Sequence, residues 1–431
     1  MLVNVRYDIP NDQPPGSAHI SGDTNGLKHR HDLYRLRWDK ADLASYYGCS
    51  SVSELVLNAC DDAIASYTNR RYSDIDYQLM VDSIYNDIVT VLNNAAHMYV
   101  PRRHKDFYKF WWSEGLKIAK AASVESNNVW KAVGKPRQGP IYDKRNKCRL
   151  AYRQLIREEE KREKLTYTND LHDALLRKDA KRFWNSWRSK FEPSSSCSQV
   201  EGCVDENMIT DKFAQHFCRS YSYNNKDRAD SLYQQYIRAR SDYNGSPLLA
   251  SHSLDTELVS RVIGDMHGGK APDIVGLTVE HLQHSHPSVV VTLSKLFQLI
   301  MLCGRVPSGF HKSYIVPIPK IKDTRTKALT CDDFRGIAIS PVISKVFEYC
   351  IVDRFSKFLS SSDNQFGFKK SLSCSHAVYS TRLIVDSFVK AGNTANLCSI
   401  DLSKAFDKVN HHGLYLKLMK RNVPAELLVI F

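Results

Sequence analysis

Asn396-Leu397-Cys398-Ser399-Ile400-Asp401-Leu402-Ser403-Lys404-Ala405-Phe406-Asp407-Lys408-Val409 is the stretch on which the reading of this chain turns. Leu397 to Ile400 is a short, mostly apolar run that predicts a core strand over 396–401. Asp401 stands at its C-terminal end. The apolar residues that follow (Ala405, Val409, Leu414, Leu418) take up helical spacing, which predicts a helix from about 404. A carboxylate at the mouth of a strand can grip Mg²⁺ without being swallowed by the core. The same Asp can equally cap the following helix. Phe406 reads either as the cover of the adjoining pocket or as simple core packing.

Working outward, the residues from Ser253 onward have the composition of a compact α/β unit. The spacing predicts helices over 254–266, 277–283, 287–303, 341–359 and 375–391, and strands over 313–318 and 334–339. Ser340-Pro341 announces one of these helices, with proline in its first turn. A hairpin pairing 313–318 with 334–339 would set Lys320 and Arg335 on one side. Arg offers a planar fork and Lys a point charge, a division of labour suited to phosphate. The plainer reading is a pair of strand-edge cations that discourage aggregation. Gln365-Phe366-Gly367-Phe368-Lys369 reads as a tight, aromatic-walled turn in which Gly367 permits close backbone approach.

Four motifs in order, Pro317-Ile318-Pro319-Lys320, Phe334-Arg335-Gly336-Ile337, Gln365 to Lys369 and Ile400 to Asp407, resemble a reverse transcriptase of the non-LTR (LINE-type) retrotransposon family. The resemblance is firm from about Leu254 to Phe431. It is fainter at Arg37-Trp38-Asp39-Lys40-Ala41-Asp42 and Phe110-Trp111-Trp112, which are similar to the stretch such elements carry between endonuclease and polymerase. It implies an α+β fold, the fingers and partial palm of a right-hand polymerase behind a mostly helical basic linker region.

The resemblance also implies site residues. Asp401 would be the first catalytic aspartate and, with the Leu402 carbonyl, a ligand of one of two Mg²⁺ ions about 4 Å apart. Lys320 and Arg335 would contact the incoming deoxynucleoside triphosphate, and Phe406 would exclude a ribose 2′-hydroxyl. Lys270, Gln365, Gly367 and Lys369 would meet the template. Lys369 stands where the family usually has Arg. Val275-Gly276 replaces the usual Asp-Gly pair of the leading motif Gly268-Gly269-Lys270-Ala271-Pro272-Asp273, and Gly336 replaces a proline common after the motif arginine. The partners implied are an RNA template and a DNA primer. The aromatic-X-Asp-Asp motif and the thumb are expected beyond Phe431. The chain alone is therefore expected to be inactive, either as a silent RNA-binding piece or as a decayed remnant that never folds stably.

Composition agrees with such partners. The formal net charge is +13 and the pI is about 9.1, which favour a polyanion. Between Ile141 and Lys190 there are 15 Lys or Arg against 8 Asp or Glu. Within that stretch Arg145, Lys147, Arg149 and Arg153, interleaved with Tyr142 and Tyr152, are the candidate contacts for phosphates and bases. Eleven scattered cysteines predict reduced thiols of an intracellular protein, nuclear or cytoplasmic, without a zinc knuckle. The clusters His281, His284, His286 and His411, His412 read as surface histidines. No signal peptide or membrane span is read. The chain divides into 1–32, expected disordered; 33–192, helical and basic; 193–252, linker with short helices; and 253–431, the polymerase-like part.

Overall fold

The computed structural model describes residues 3–6, 19–21, 34–69, 73–104, 114–176, 178, 199–203, 205–221, 225–320, 329–369, 371–402 and 404–431. Among them the fold is α+β, mostly helical with a small antiparallel sheet. In chain order the elements are β1 (Val3–Arg6), β2 (His19–Ser21), β3 (Tyr34–Leu36), α1 (Leu43–Cys49), α2 (Glu54–Thr68), α3 (Asp74–Tyr99) and β4 (Arg102–His104). Two long helices follow, α4 (Glu114–Ala132) and α5 (Pro140–Leu176), then α6 (Glu206–Tyr221) and α7 (Lys226–Ser241). The remainder is α8 (Thr256–Asp265), α9 (Val279–Gln283), α10 (Pro287–Cys303), β5 (Lys312–Pro319), β6 (Phe334–Ile339), α11 (Val342–Arg354), α12 (Ser356–Leu359), α13 (Cys374–Lys390), α14 (His411–Lys420) and α15 (Ala425–Ile430).

The main core is built around α10, whose ends the sequence states openly. Proline sits in its first turn, and Gly304, in the left-handed region at φ 65°, stops it. Leu293, Leu296 and Phe297 are fully buried against Ile88 and Leu92 of α3, Cys60 of α2, Leu258 of α8 and Val346 of α11. Each fully buried aliphatic side chain contributes about 1.5–3 kcal/mol. This one core therefore joins residues of 33–104 to those of 253–359, across the division expected between a linker region and a polymerase-like part. Ion pairs reinforce the joint at its rim, Lys295 with Asp61 and Arg305 with Asp74.

Trp38 adds a second clasp. Its ring stands edge-on to Tyr46 (5.1 Å, 88°) and to His281 (4.8 Å, 78°), while the Tyr46 hydroxyl donates to the His281 carbonyl at 2.9 Å. His281 is therefore no surface residue; it is fully buried. Its Nδ1 accepts from the Thr278 amide at 2.9 Å, which leaves the proton of the neutral ring on Nε2. Burial pushes its pKa down to about 4. The unfolded chain takes up this proton near the ordinary histidine value of 6.5, so the stability held by the neutral ring is complete above that pH and drains away as pH falls towards 4. Burial shifts His216, His252 and His412 in the same direction. We expect the melting temperature to fall by a few degrees between neutral pH and pH 5 and the fall to shrink in His281→Gln. A melt unchanged by pH would contradict this.

Two sequence expectations change here. Where disorder is expected over 1–32, Val3–Arg6 and His19–Ser21 are strands, and the sheet order is β2-β1-β5-β6. Val3 pairs with Ile315 and Arg6 with Lys312, so β1 covers what would be an open edge of β5. The region expected to be linker with short helices packs too. Phe213 and Phe217 of α6 lie in a second core with Ile315, Leu329 and Phe334, and Tyr236 of α7 packs with Met419 and Leu428. Pro193 to Ser198, Phe183 to Trp187 and Phe110 to Trp112 lie outside the described residues. No helix among the described residues is long and apolar enough to cross a membrane.

Candidate functional site

The hairpin expected from the sequence forms. β5 and β6 pair antiparallel with Pro319 opposite Phe334, Ile318 opposite Arg335 and Pro317 opposite Gly336. Cross-strand partners point to the same face, and so do residues two apart along a strand. Arg335 therefore shares a face with Ile318 and, just past the strand end, with Lys320. The Lys320 amide closes the ladder on the Asp333 carbonyl at 2.8 Å, and its ammonium donates to the Asp332 carbonyl at 2.6 Å. Both cations are exposed. Lys322 and Lys327, at the hairpin tip, lie outside the described residues.

Gly336 has a reason of its own. A Cβ there would stand 2.8 Å and 2.9 Å from two ring carbons of Phe217 and 3.0 Å from Ile315 Cγ2. The aromatic ring of α6 thus rests on the strand at the one residue without a side chain, beside Arg335. Gly336→Ala is expected to cost about 1–3 kcal/mol through overpacking. Adding Phe217→Leu should return part of that loss in urea melts; a neutral Gly336→Ala would overturn this reading.

The loop carrying Lys270 is fixed from both sides. The Glu280 carboxylate accepts from the Gly269 amide, and the Tyr314 hydroxyl donates to the Pro272 carbonyl. Asp273, 1% exposed, holds the rest. Its Oδ1 accepts from the amides of Val275 (3.1 Å) and Leu277 (2.8 Å), and its Oδ2 from the amide of Val342 (2.8 Å), at the start of α11. Gly276, at φ 90°, completes the turn. Asp273 escaped the sequence reading, although Asp-X-X-Gly is a turn signature with a mechanism. It stands two positions before the place left by the missing Asp-Gly pair and does the turn-holding there.

The turn at 365–369 and the loop after Asp401 come together through their aromatic rings. Phe406 meets Phe368 edge-to-face at 5.5 Å and 84°. Phe368 is at φ 59° and 90% exposed. Gln365 Nε2 donates to the Gly367 carbonyl at 3.2 Å, and Lys369 Nζ donates to the Ser362 carbonyl at 2.6 Å. Nothing lies within 4 Å of a Cβ built on Gly367, so its free side is open to a ligand.

The strand expected over 396–401 is absent. Residues 393–402 have no regular structure, and Leu397 (72%), Ile400 (84%) and Leu402 (72%) are exposed. An apolar run becomes a strand only where a neighbour takes up its backbone hydrogen bonds, and among the described residues no strand pairs with it. The helix expected from about 404 also starts later. Residues 404–408 form a turn, and α14 begins at His411, capped by Asn410 Oδ1 accepting from the Gly413 amide at 2.9 Å. Asp401 therefore caps nothing and is exposed. No group of three or more His, Cys, Asp or Glu among the described residues could hold a metal ion. Asp401 and Leu402, the metal ligands expected from the resemblance, are exposed and stand in no such group among the described residues.

The basic segment lies on a helical hairpin. Arg145 Nε donates to Asn127 Oδ1 at 2.9 Å, and its guanidinium lies 3.8 Å from the centroid of the Trp130 ring, so this arginine is occupied in joining α5 to α4. Lys147, Arg149 and Arg153 are exposed.

Residues 318–430 match the family model of the reverse transcriptase (RNA-dependent DNA polymerase). The chain is similar to a retrovirus-related Pol polyprotein from the type-2 retrotransposable element R2DM of Drosophila melanogaster, 21% identical over 189 residues, which are 43% of this chain and 17% of that protein. It is also similar to a probable RNA-directed DNA polymerase from the transposon X-element of the same organism, 33% identical over 175 residues, 39% of this chain and 18% of that protein. The chain thus spans under a fifth of the length of these curated relatives. The matched segment holds Lys320, Arg335, the 365–369 turn, Asp401 and Phe406, so these residues lie where the chain is similar to a reverse transcriptase.

Proposed function

We propose that residues 253–431 are the fingers and partial palm of a polymerase that copies RNA into DNA from a DNA primer, with the helices before them as a basic, nucleic-acid-facing extension. The observation that carries this reading is the β5–β6 register, which presents Lys320 and Arg335 on one face within the matched segment. In this reading the two cations receive the phosphates of a deoxynucleoside triphosphate. Phe406 lies against its sugar, and Lys270, Gln365, Gly367 and Lys369 line the template path. Lys147, Arg149 and Arg153 add contacts to nucleic-acid phosphates.

Reverse transcriptases use divalent metal ions such as Mg²⁺. In this reading Asp401 is the carboxylate this chain gives to such a site, and among the described residues no group of three or more His, Cys, Asp or Glu completes it. By itself the chain then binds RNA and does not synthesise DNA. The buried core from Val52 to Leu427 argues against a remnant that never folds.

The test is fluorescence anisotropy of a labelled single-stranded RNA across about 50 to 200 mM salt, with primer extension run in parallel. Affinity should fall steeply with salt, and Arg335→Ala should flatten the log–log slope by about 0.7, the value of one phosphate contact on a single strand. Salt-independent binding, or an unchanged slope in Arg335→Ala, would sink the interface. Templated extension by the chain alone would sink its silence.

A further inference from the structure

A cluster of charges at the loop end of the hairpin adds His216 and Asp332, which belong to none of the sequence motifs, to two motif lysines, Lys320 and Lys404. Asp332, in the single turn of helix before β6, has a side chain 77% exposed. Nε2 of His216, on α6, lies 3.8 Å from Asp332 Oδ1, and Nζ of Lys404 lies 3.6 Å from that same oxygen. Lys320 Nζ donates to the carbonyl of the same residue at 2.6 Å. Lys404 is held in place by donating to Ser220 Oγ at 2.9 Å, and Ser220, 2% exposed, donates in turn to the His216 carbonyl at 2.9 Å. Three nitrogen-bearing side chains from three separate parts of the chain thus surround one acidic residue.

The distances say that Asp332 fits this place poorly. At 3.6 Å and 3.8 Å its oxygen is an ion-pair partner but too far for a hydrogen bond. It neutralises part of the charge and satisfies neither donor. Glu201, another acid that acts on His216, is committed elsewhere: its Oε1 accepts from the Cys331 amide at 3.2 Å, and its Oε2 pairs with Lys212 at 3.4 Å. Lys404 holds φ 53°, a backbone region that a lysine occupies at a cost. Asp332 is not needed for the local turn, because Thr330 and Asp333 cap it.

We propose that His216, Lys404 and Lys320 form a phosphate-binding subsite, that the Asp332 carboxylate stands in it as an internal substitute, and that a phosphate-bearing ligand displaces it. Phosphate supplies several acceptor oxygens at once, so it can reach donors that converge from different sides, as one carboxylate oxygen here does not. The source is either a nucleoside triphosphate or the backbone of a polynucleotide. The subsite deepens the polymerase reading by adding residues of α6 and of the loop after Asp401 to the phosphate-facing hairpin. Its readout needs no synthesis.

Calorimetric titration of the full chain with inorganic tripolyphosphate tests it. Asp332→Asn removes the internal competitor and keeps the shape, and affinity should rise about two- to fivefold, the range of an exposed ion pair. Lys404→Gln added to Asp332→Asn should abolish the rise. Misfolding cannot produce a gain, so no gain in Asp332→Asn overturns the proposal. A gain that survives Lys404→Gln overturns it as well. Displacement of tripolyphosphate by a deoxynucleoside triphosphate alone assigns the subsite to the mononucleotide, and displacement by a short RNA assigns it to the strand. A gain in Asp332→Asn together with salt-independent RNA binding would keep the subsite and discard the polymerase reading.

Discussion

Asp273→Ala is expected to destabilise the protein by about 3–5 kcal/mol, because it leaves three backbone amides without an acceptor, and a buried donor without a partner costs about 1–3 kcal/mol. The carboxylate binds the Val275, Leu277 and Val342 amides from a position 1% exposed. Two of these amides belong to the turn that follows Lys270, and the third opens α11, directly after β6. The substitution thus disconnects the Lys270 loop from the hairpin that bears Arg335 while also breaking the start of a core helix. Part of the cost is relieved if water enters the turn, which is why the upper bound is set below the largest sum for three lost partners. Asp273→Asn keeps one oxygen and the volume, so it should lose roughly half as much. Urea melts of the two variants give the comparison. An Asp273→Ala midpoint within experimental error of the parent would show that the carboxylate is not the fastener described above.

Gly245→Ala should cost about 3 kcal/mol, from two sources that act together. Gly245 has φ 62°, a left-handed conformation that costs an ordinary residue about 1–2 kcal/mol. A Cβ there would also run into the Val423 carbonyl oxygen and lie 3.1 Å from the Ala425 amide nitrogen. Both obstacles are backbone, so the strand of chain itself must move, and overpacking of this kind costs about 1–3 kcal/mol. The Ser246 amide donates to the Asn422 carbonyl at 3.1 Å, and the Tyr243 hydroxyl donates to the Val423 carbonyl, so the same turn fastens α7 to α14 and α15. Gly245→Asn separates the two sources. Asparagine tolerates the dihedral but keeps the Cβ, so it should recover little of the loss. Full recovery in thermal melts would show that the close approach of backbones is not what selects glycine.

Much of the fold could be read before the structure. α10 and β6 have the predicted limits, 287–303 and 334–339, because proline, glycine and apolar period all agree at those places. The hairpin pairing was legible for the same reason. What failed, failed where tertiary partners decide. The run at 396–401 has strand composition and no strand beside it among the described residues, so Leu397 and Ile400 are exposed. α13 has the predicted place, and yet it buries none of its residues. Arg145 reads as a nucleic-acid contact in a basic run, but the Trp130 ring that occupies it is fifteen residues away and on another helix. His281 reads as one of a surface cluster until Trp38, from far upstream, covers it. Asp273 and the trio around Asp332 depend on contacts between segments distant in sequence. Local spacing carries no signal for such contacts.

The same asymmetry explains the site. Lys320 and Arg335 are placed by one hairpin register, a local property, and their shared face follows from strand geometry alone. Phe406 and Phe368 meet across two loops, and their contact joins the turn to the segment after Asp401. The cationic face of the hairpin is therefore built within these residues, whereas Asp401 stands as a single exposed carboxylate.

The most direct test of the central claim is ultraviolet cross-linking of the full chain to an RNA template annealed to a DNA primer, with the attached peptides identified by mass spectrometry. The account predicts attachment within 312–339 and 365–372, weakened when Lys320 and Arg335 are both replaced by alanine. Attachment confined to the α4–α5 hairpin, and indifferent to those two substitutions, would contradict it and leave the basic helices as the sole nucleic-acid surface.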